Sequence, residues 1–383
     1  MPSDVAAQIT SQSQPDLKPI VGQILADEVI SIGEVTATKI GRSAGTATAG
    51  VFRVTGQAST QNEDTEWSAV VKALGEPEIK REYREEDPLR ELEVYRSGVF
   101  AEGCGGVRSA RCYAIQTRDD LQLLWLEDLS DAPQPPWEAD HFLNTARHLG
   151  QFNGHWPEQA LPQWDWLNQV DFRTKLTGHT HLQAVFERFS TLQDHPLMQA
   201  FAPPSAVSEF MRLWEQCDEL LIQAEGSPKG VCHLDCHPKN LFPISNSSGE
   251  RYTIGIDWVK VGIDYLGVDI GHLLASPMSW LEVTATEART LCDPIFNAYV
   301  SGLADAGWSG NEDAVRLTYL TRVALEARRN TSLILRSIER ADWLELMERF
   351  LGHPINDICS RYHANREFYS TCKEEALQLA QRL

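Results

Sequence analysis

The order of elements in this sequence predicts an α+β chain with two lobes, a five-stranded antiparallel sheet carrying one helix and then a mainly helical remainder. Strand-like segments follow one another at 35–40, 51–55, 67–74, 109–116 and 121–126, with one charged helical stretch, 82–97, between the third and the fourth. Beyond residue 128 the apolar residues recur at helical spacing instead. Between the two regimes stands SDAPQPPW, 130–137, whose prolines forbid regular pairing and stiffen the passage. The division expected is a flexible tail over 1–15, a first lobe over 16–127 and a second over 128–383.

The polar start, rich in Ser, Gln and Ala, reads as a frayed tail. Ile20, Val21, Ile24, Leu25 and Val29 then recur at helical spacing over 17–30, with Pro19 near the start, where a missing N–H costs nothing. In the third strand, WSAVVKAL, the alternation puts Trp67, Ala69, Val71 and Ala73 on one face and Val70, Lys72 and Leu74 on the other. A lysine in so apolar a strand is costly unless something negative meets it; the plainer reading is a lysine that snorkels from an edge. In the second lobe Phe142, Ala146, Leu149 and Phe152 stripe a helix over 140–153, and Phe210, Met211, Trp214, Cys217, Leu220 and Leu221 another over 207–221. Further helices are expected at 316–338, 343–351 and 369–383, and no repeat of 20–50 residues is visible.

At 383 residues with 42% hydrophobic content, the chain can fill a sizeable core. Its 34 Lys and Arg against 54 Asp and Glu give a net charge of -20, which disfavours nucleic acid as a partner and would welcome a cationic small molecule. The first residues lack a basic region followed by an apolar one, and no apolar run approaches spanning length, so a cytoplasmic protein without a membrane partner is expected. Eight scattered cysteines suggest reduced thiols. Nothing in the sequence sets an oligomeric state.

The chemistry concentrates in VCHLDCHPKNLF, where His233, Asp235 and Asn240 have the spacing H-x-D-x-x-x-x-N. That is the catalytic-loop spacing of kinase-fold phosphotransferases, in which the Asp takes the acceptor hydroxyl proton and the Asn holds a nucleotide-bound magnesium. Asp257 follows the alternating Tyr252, Ile254 and Ile256, and stands where such enzymes keep their principal metal ligand. Cys232, His233, Cys236 and His237 imitate a zinc-ligand spacing, but adjacent residues point apart and make a poor tetrahedron. The oxygens of Asp235, Asn240 and Asp257 suit magnesium better.

HLDCHPKN followed by IDW resembles the H-G-D-x-H-x-x-N and I-D-W motifs of the aminoglycoside phosphotransferase and choline kinase-like family, over about residues 35–274. Leu234 stands where Gly is usual, Cys236 where a larger apolar residue is, and Lys239 where Gly is common. The resemblance implies a bilobal, protein-kinase-like fold that uses ATP or GTP with Mg2+. It assigns Asp235 as the catalytic base, with His233 supporting the loop, and Asn240 and Asp257 as metal ligands. Lys72 would bind the α- and β-phosphates, held by Glu91 of RELEVYRSG, with Glu93 the competing carboxylate. On a helix the two point about 200° apart, so only one can face the lysine. In GRSAGTATAG, Ser43 and Gly45 would approach the phosphates through the backbone. Trp125, Leu126 and Glu127 of LLWLEDL would flank the purine.

The reading is a small-molecule kinase acting on a hydroxyl, with an aminoglycoside or another antibiotic as leading acceptor, and a sugar, amino-alcohol or nucleoside-like metabolite as alternatives. The acceptor is expected in the second lobe, against helices after Asp257 and the insert 156–189. His237 and Lys239 fit two readings equally, as groups approaching the transferred phosphate or as solvated loop residues. Asp269, before an apolar run, reads as a cap or loop support rather than a catalytic group. A catalytically silent nucleotide-binding scaffold is the alternative of a different class. A protein kinase is a weaker third, since D-F-G and A-P-E strings are missing.

Overall fold

A computed structural model of the chain describes residues 5–40, 48–75, 88–119, 121–169, 172, 190–203, 207–208, 212, 215–245 and 248–383. The chain divides into two compact units. The first comprises Met1–Gly103, Arg108–Ala132 and Ile254–Lys260; the second holds Cys104–Val107, Pro133–Thr253 and Val261–Leu383. The IDW segment, expected in the second lobe, therefore belongs with the first unit. The architecture is bilobal α+β, with a sheet-rich N-terminal region and a largely helical C-terminal one, as in protein kinases.

The first unit opens with helices α1 (Val5–Thr10) and α2 (Gln14–Leu25). Strands β1 (Val29–Lys39), β2 (Thr48–Thr60) and β3 (Asp64–Gly75), helix α3 (Pro88–Ser97), and strands β4 (Val107–Ser109), β5 (Cys112–Arg118) and β6 (Leu121–Leu126) follow. Five strands make one sheet in the order β1-β2-β3-β6-β5, every pair antiparallel. On β3 the alternation holds: Ala69, Val71 and Ala73 are fully buried in a core shared with Val54, Trp67, Leu123 and Trp125, while Val70 and Lys72 are half-buried.

Three boundaries differ from expectation. The tail expected over 1–15 contains α1, whose Ile9 is fully buried in the same core as Leu17, Ile20 and Val21. The helix expected to reach residue 30 stops at Leu25, because Ala26 turns left-handed with φ 53° and its N–H closes on the Gly22 carbonyl. Val29 then pairs with Thr60, so its β-branched run starts a strand rather than ending a helix. The strand expected over 109–116 is broken after Ser109, where the Ala110 N–H bonds the Gly255 carbonyl.

In the second unit, α4 (Ala139–Asn153) buries Phe142, Ala146, Leu149 and Phe152, the predicted stripe. Of strands β7 (Lys229–Cys232), β8 (Leu241–Ser245), β9 (Arg251–Gly255) and β10 (Gly262–Tyr265), the first and last pair antiparallel, from Lys229 opposite Tyr265 to Cys232 opposite Gly262. They brace the loop 233–240 at its start. Helices Val268–Ser279, Ala285–Asp305, Glu312–Glu339, Ala341–Leu351 and Ile355–Ala380 complete the unit. The helix expected over 207–221 lies partly outside the described residues; Cys217–Ala224 is its described part. The last helix begins at Ile355 rather than at the expected 369, with Ile355, Ile358, Tyr362 and Phe368 buried among the polar residues before that point. Among the described residues no helix is long and apolar enough to cross a membrane.

Candidate active site

In the first unit Lys72 is the centre of a three-residue charge cluster. It lies opposite Val51 of β2 and Leu124 of β6, so its side chain leaves an interior strand with no solvent edge to escape to. Its Nζ lies 2.5 Å from Glu91 Oε2 on α3 and 2.8 Å from Asp257 Oδ1. Burial pulls the ammonium's pKa down, but the charges of Glu91 and then Asp257 outweigh it and leave the group above its ordinary value. Of the two carboxylates weighed on α3, Glu93 instead pairs with Arg96 at 2.9 Å on the surface.

Asp257 stands between β9 (Arg251–Gly255) and a 3-10 turn over Trp258–Lys260, with φ 60°. Asp tolerates this left-handed conformation better than most residues. Trp258 behind it is fully buried, donates its indole N–H to the Gly255 carbonyl at 3.0 Å and stacks on Phe100 at 4.7 Å. The α3 residue Arg90 donates to the Val259 carbonyl of the same turn. The helix that carries Glu91 is thus tied to the segment that carries Asp257.

Ser43 and Gly45 lie outside the described residues, as does most of the insert expected to wall the acceptor. The purine-flanking expectation needs correction at Trp125. Its ring is fully buried in the first unit's core, and its indole N–H donates to Gln116 Oε1 at 2.9 Å. Leu126 is also buried, paired with Val70 and Cys112. Glu127 binds Arg108 through both carboxylate oxygens, at 2.9 and 3.1 Å, and its N–H is taken by the Arg111 carbonyl. That N–H is therefore unavailable to a purine edge.

In the second unit the loop after β7 is organised by Asp269, in the first turn of Val268–Ser279. Its Oδ2 accepts the His233 N–H at 2.9 Å and its Oδ1 the Leu234 N–H at 2.8 Å. Asn153, at the end of α4, donates from Nδ2 to Asp269 Oδ2 at 3.0 Å and to the Val231 carbonyl at 2.8 Å. Tyr299 donates its hydroxyl to Asn153 Oδ1 at 2.8 Å and accepts the Gly267 N–H at 3.2 Å. Gly267 has φ 99°, and a Cβ there would meet the Val315 carbonyl oxygen at 2.6 Å, so glycine alone starts this helix so close to its neighbour.

The network fixes the backbone on which Asp235 sits. The Asp235 N–H reaches His233 Nδ1 at 3.3 Å, and Asn240 Nδ2 donates to both the carbonyl and the Oδ2 of Asp235, each at 3.2 Å. His237 Nε2 is 3.8 Å from Asp235 Oδ2, and its ring meets Trp280 edge-on at 4.4 Å. Lys239 turns the other way, to Glu282 Oε1 at 2.8 Å, with its ammonium 4.3 Å from the Trp280 ring centre. Asn153 and Tyr299 escaped the sequence reading. The available signal was an Asn closing the apolar stripe of α4.

The zinc-like quartet is engaged otherwise. Cys232 Sγ donates to the Gly230 and Asp264 carbonyls, each at 3.7 Å, and burial, then the Asp269 charge, pushes the Cys236 thiol well up. Among the described residues no three His, Cys, Asp or Glu side chains gather as a metal site would require. Magnesium needs only one or two protein oxygens when a nucleotide supplies the rest. The donors fit that role: Asp257 engages Lys72 through Oδ1, which leaves Oδ2 for a metal. Asn240 uses its amide N–H groups on Asp235, which leaves Oδ1.

The model of the phosphotransferase enzyme family (APH) matches residues 45–304, and the chain belongs to that family. It is a phosphotransferase of kinase-like fold. An aminoglycoside phosphotransferase from Alicyclobacillus acidocaldarius superposes with a TM-score of 0.52 at 15% identity, over 94% of this chain and 96% of that one. Amicoumacin kinase hAmiN, in complex with AMP-PNP, Ca2+ and Ami, gives 0.48 at 14% identity, over 84% and 88% of the two chains. A choline/ethanolamine kinase family protein from Mesorhizobium loti gives 0.47 at 12%, over 91% and 92%. No curated protein matches.

Proposed function

We propose that this phosphotransferase moves the γ-phosphate of ATP or GTP to a hydroxyl of a small molecule. The observation that carries the reading is Lys72, a cation held in an interior strand by Glu91 at 2.5 Å and by Asp257 at 2.8 Å. A structural lysine needs one carboxylate; a second, half-exposed one marks a place for polyanion and metal. Lys72 anchors the α- and β-phosphates, and Glu91 orients it. Asp257 and Asn240 hold magnesium, which when bound draws charge off the moving phosphate. Asp235 positions the acceptor hydroxyl and takes its proton, while Asn240 keeps that carboxylate in one rotamer. Ser43 and Gly45 would approach the phosphates, and Leu126 and Glu127 would border the purine.

The net charge of -20 makes a cationic acceptor, an aminoglycoside above others, the first class to try. Such an enzyme works where nucleotide is plentiful, in the cytoplasm. The test is a panel of aminoglycosides, sugars, amino-alcohols and nucleosides, assayed with ATP and with GTP for nucleotide consumption in the presence of magnesium. Turnover with at least one acceptor is the expected result. Nucleotide binding without turnover on any of them would favour a silent scaffold.

A further inference from the structure

Beside the catalytic loop the second unit carries a place built for a cation, and the chain's own Lys239 sits in it. The Trp280 ring offers a π-face, with the ammonium 4.3 Å from its centre, and Phe350 offers a second at 5.7 Å. Glu282 supplies the counter-charge at 2.8 Å through Oε1, while its Oε2 is buried with no hydrogen-bond partner among the described residues. A buried carboxylate oxygen without a donor is costly, so this carboxylate has capacity for a further N–H or O–H. The place adjoins the reacting groups. His237 touches Trp280 edge-on at 4.4 Å on one side, and its Nε2 lies 3.8 Å from Asp235 Oδ2 on the other.

We infer that Lys239 is a specificity-determining residue, whose ammonium occupies on Trp280 and Glu282 the seat that an ammonium group of an acceptor would otherwise take. The inference rests on the kinase reading for its consequence, but the seat itself does not. An ammonium bound there would displace Lys239 from an ion pair and a cation–π contact without gaining a new one. The acceptor therefore presents to this wall a neutral, ring-like or aliphatic face, and any amine it carries is met elsewhere. Lysine at this loop position, where the resembled motif commonly has glycine, is what fills the seat.

The experiment uses the full chain with Lys239→Ala, and n-propylammonium as the probe, since it restores the atoms that Ala lacks. Calorimetric titration should show saturable binding of n-propylammonium to the variant, about tenfold or more tighter than neutral n-propanol, and no saturable binding to the parent. Adding Glu282→Gln to the variant should abolish it. Equal binding to parent and variant, or none to a folded Lys239→Ala, overturns the proposal. Because Lys239 is half-exposed, the variant should fold; if circular dichroism shows otherwise, Lys239→Gln takes its place under the same criteria. In the acceptor panel, the variant should gain amino-alcohol turnover relative to neutral alcohols. Absence of all turnover in the parent would count against the kinase reading, while the titration would still decide the seat.

Discussion

Asp269 holds Leu234 in a left-handed conformation: its Oδ1 accepts the Leu234 N–H at 2.8 Å where the backbone has φ 66°. The related motif has glycine at this place, for which such a φ carries no steric penalty. Leucine bears the strain, of order 1 kcal/mol, and in return buries its side chain among Phe172, Leu221, Tyr265, Val268 and Leu325.

Leu234→Gly should therefore destabilise the protein despite relieving the backbone. Full burial of a leucine contributes about 2–3 kcal/mol, against about 1 kcal/mol of relief. The net loss expected is about 1–2 kcal/mol in urea denaturation. An unchanged or raised midpoint would mean that the strain outweighs the packing.

Asp269→Asn retains volume but removes the charge and one acceptor oxygen, while the buried N–H groups of His233 and Leu234 and the Asn153 amide all need acceptors. A loss of about 2–3 kcal/mol is expected, the scale of hydrogen bonds to a buried charge. Amide hydrogen exchange at residues 233 and 234 should accelerate well beyond exchange in α3, which distinguishes loosening of this loop from general destabilisation.

Much of this arrangement was legible because it follows simple periods. A period of two set Lys72 opposite the core face of β3, and the angle between Glu91 and Glu93 on a helix allowed one of them to face it. Asp269 was legible as a carboxylate ahead of an apolar run. Trp125 was not, because Leu123, Leu124, Trp125 and Leu126 are all buried and a strand covered on both faces shows no alternation. Val29 was misread for a related reason: its apolar spacing fits a helix, and only pairing with Thr60 reveals the strand. The Asn153–Tyr299 pair, 146 residues apart, is set by tertiary packing that no local pattern encodes.

Acid sensitivity should trace in part to His148. It is buried, with Nδ1 2.9 Å from Thr253 Oγ1, and burial first, then the charges of Arg147 and Arg251, hold its pKa down to about 4. The unfolded chain takes this proton near the ordinary 6.5, so between the two values the unfolded state binds more protons. Stability from this group is complete above pH 6.5 and falls as pH drops toward 4, by at most about 1.4 kcal/mol per pH unit. Urea midpoints at pH 7 and pH 5 should differ less in His148→Gln than in the parent. Equal differences would remove His148 from the effect.

Lys72, Glu91 and Asp257 should show strong energetic coupling. Lys72→Met leaves Glu91 buried without its cation and close to another carboxylate, which should cost about 3–5 kcal/mol. Glu91→Gln in the same chain should recover part of that loss, because it removes the stranded charge. A double-mutant cycle by urea denaturation measures the coupling. Additive losses would mean that the pair is screened, and that the short distances carry little energy.

The sharpest separation of roles comes from Asp235→Asn. Asn240 donates to the backbone carbonyl of Asp235 as well as to its side chain, and an asparagine oxygen at 235 can still accept the second bond, so the loop should keep its shape. The amide cannot take a proton from an acceptor hydroxyl, so turnover should fall by about 10²-fold or more, the scale of general-base catalysis. Nucleotide affinity, which the proposed mechanism assigns to Lys72 and Asp257, should change by less than about threefold. The measurement pairs steady-state kinetics on an acceptor found in the panel with calorimetric nucleotide binding. Turnover retained at the parent level would remove Asp235 from the chemistry, whereas parallel loss of turnover and nucleotide binding would point to collapse of the loop rather than loss of a base.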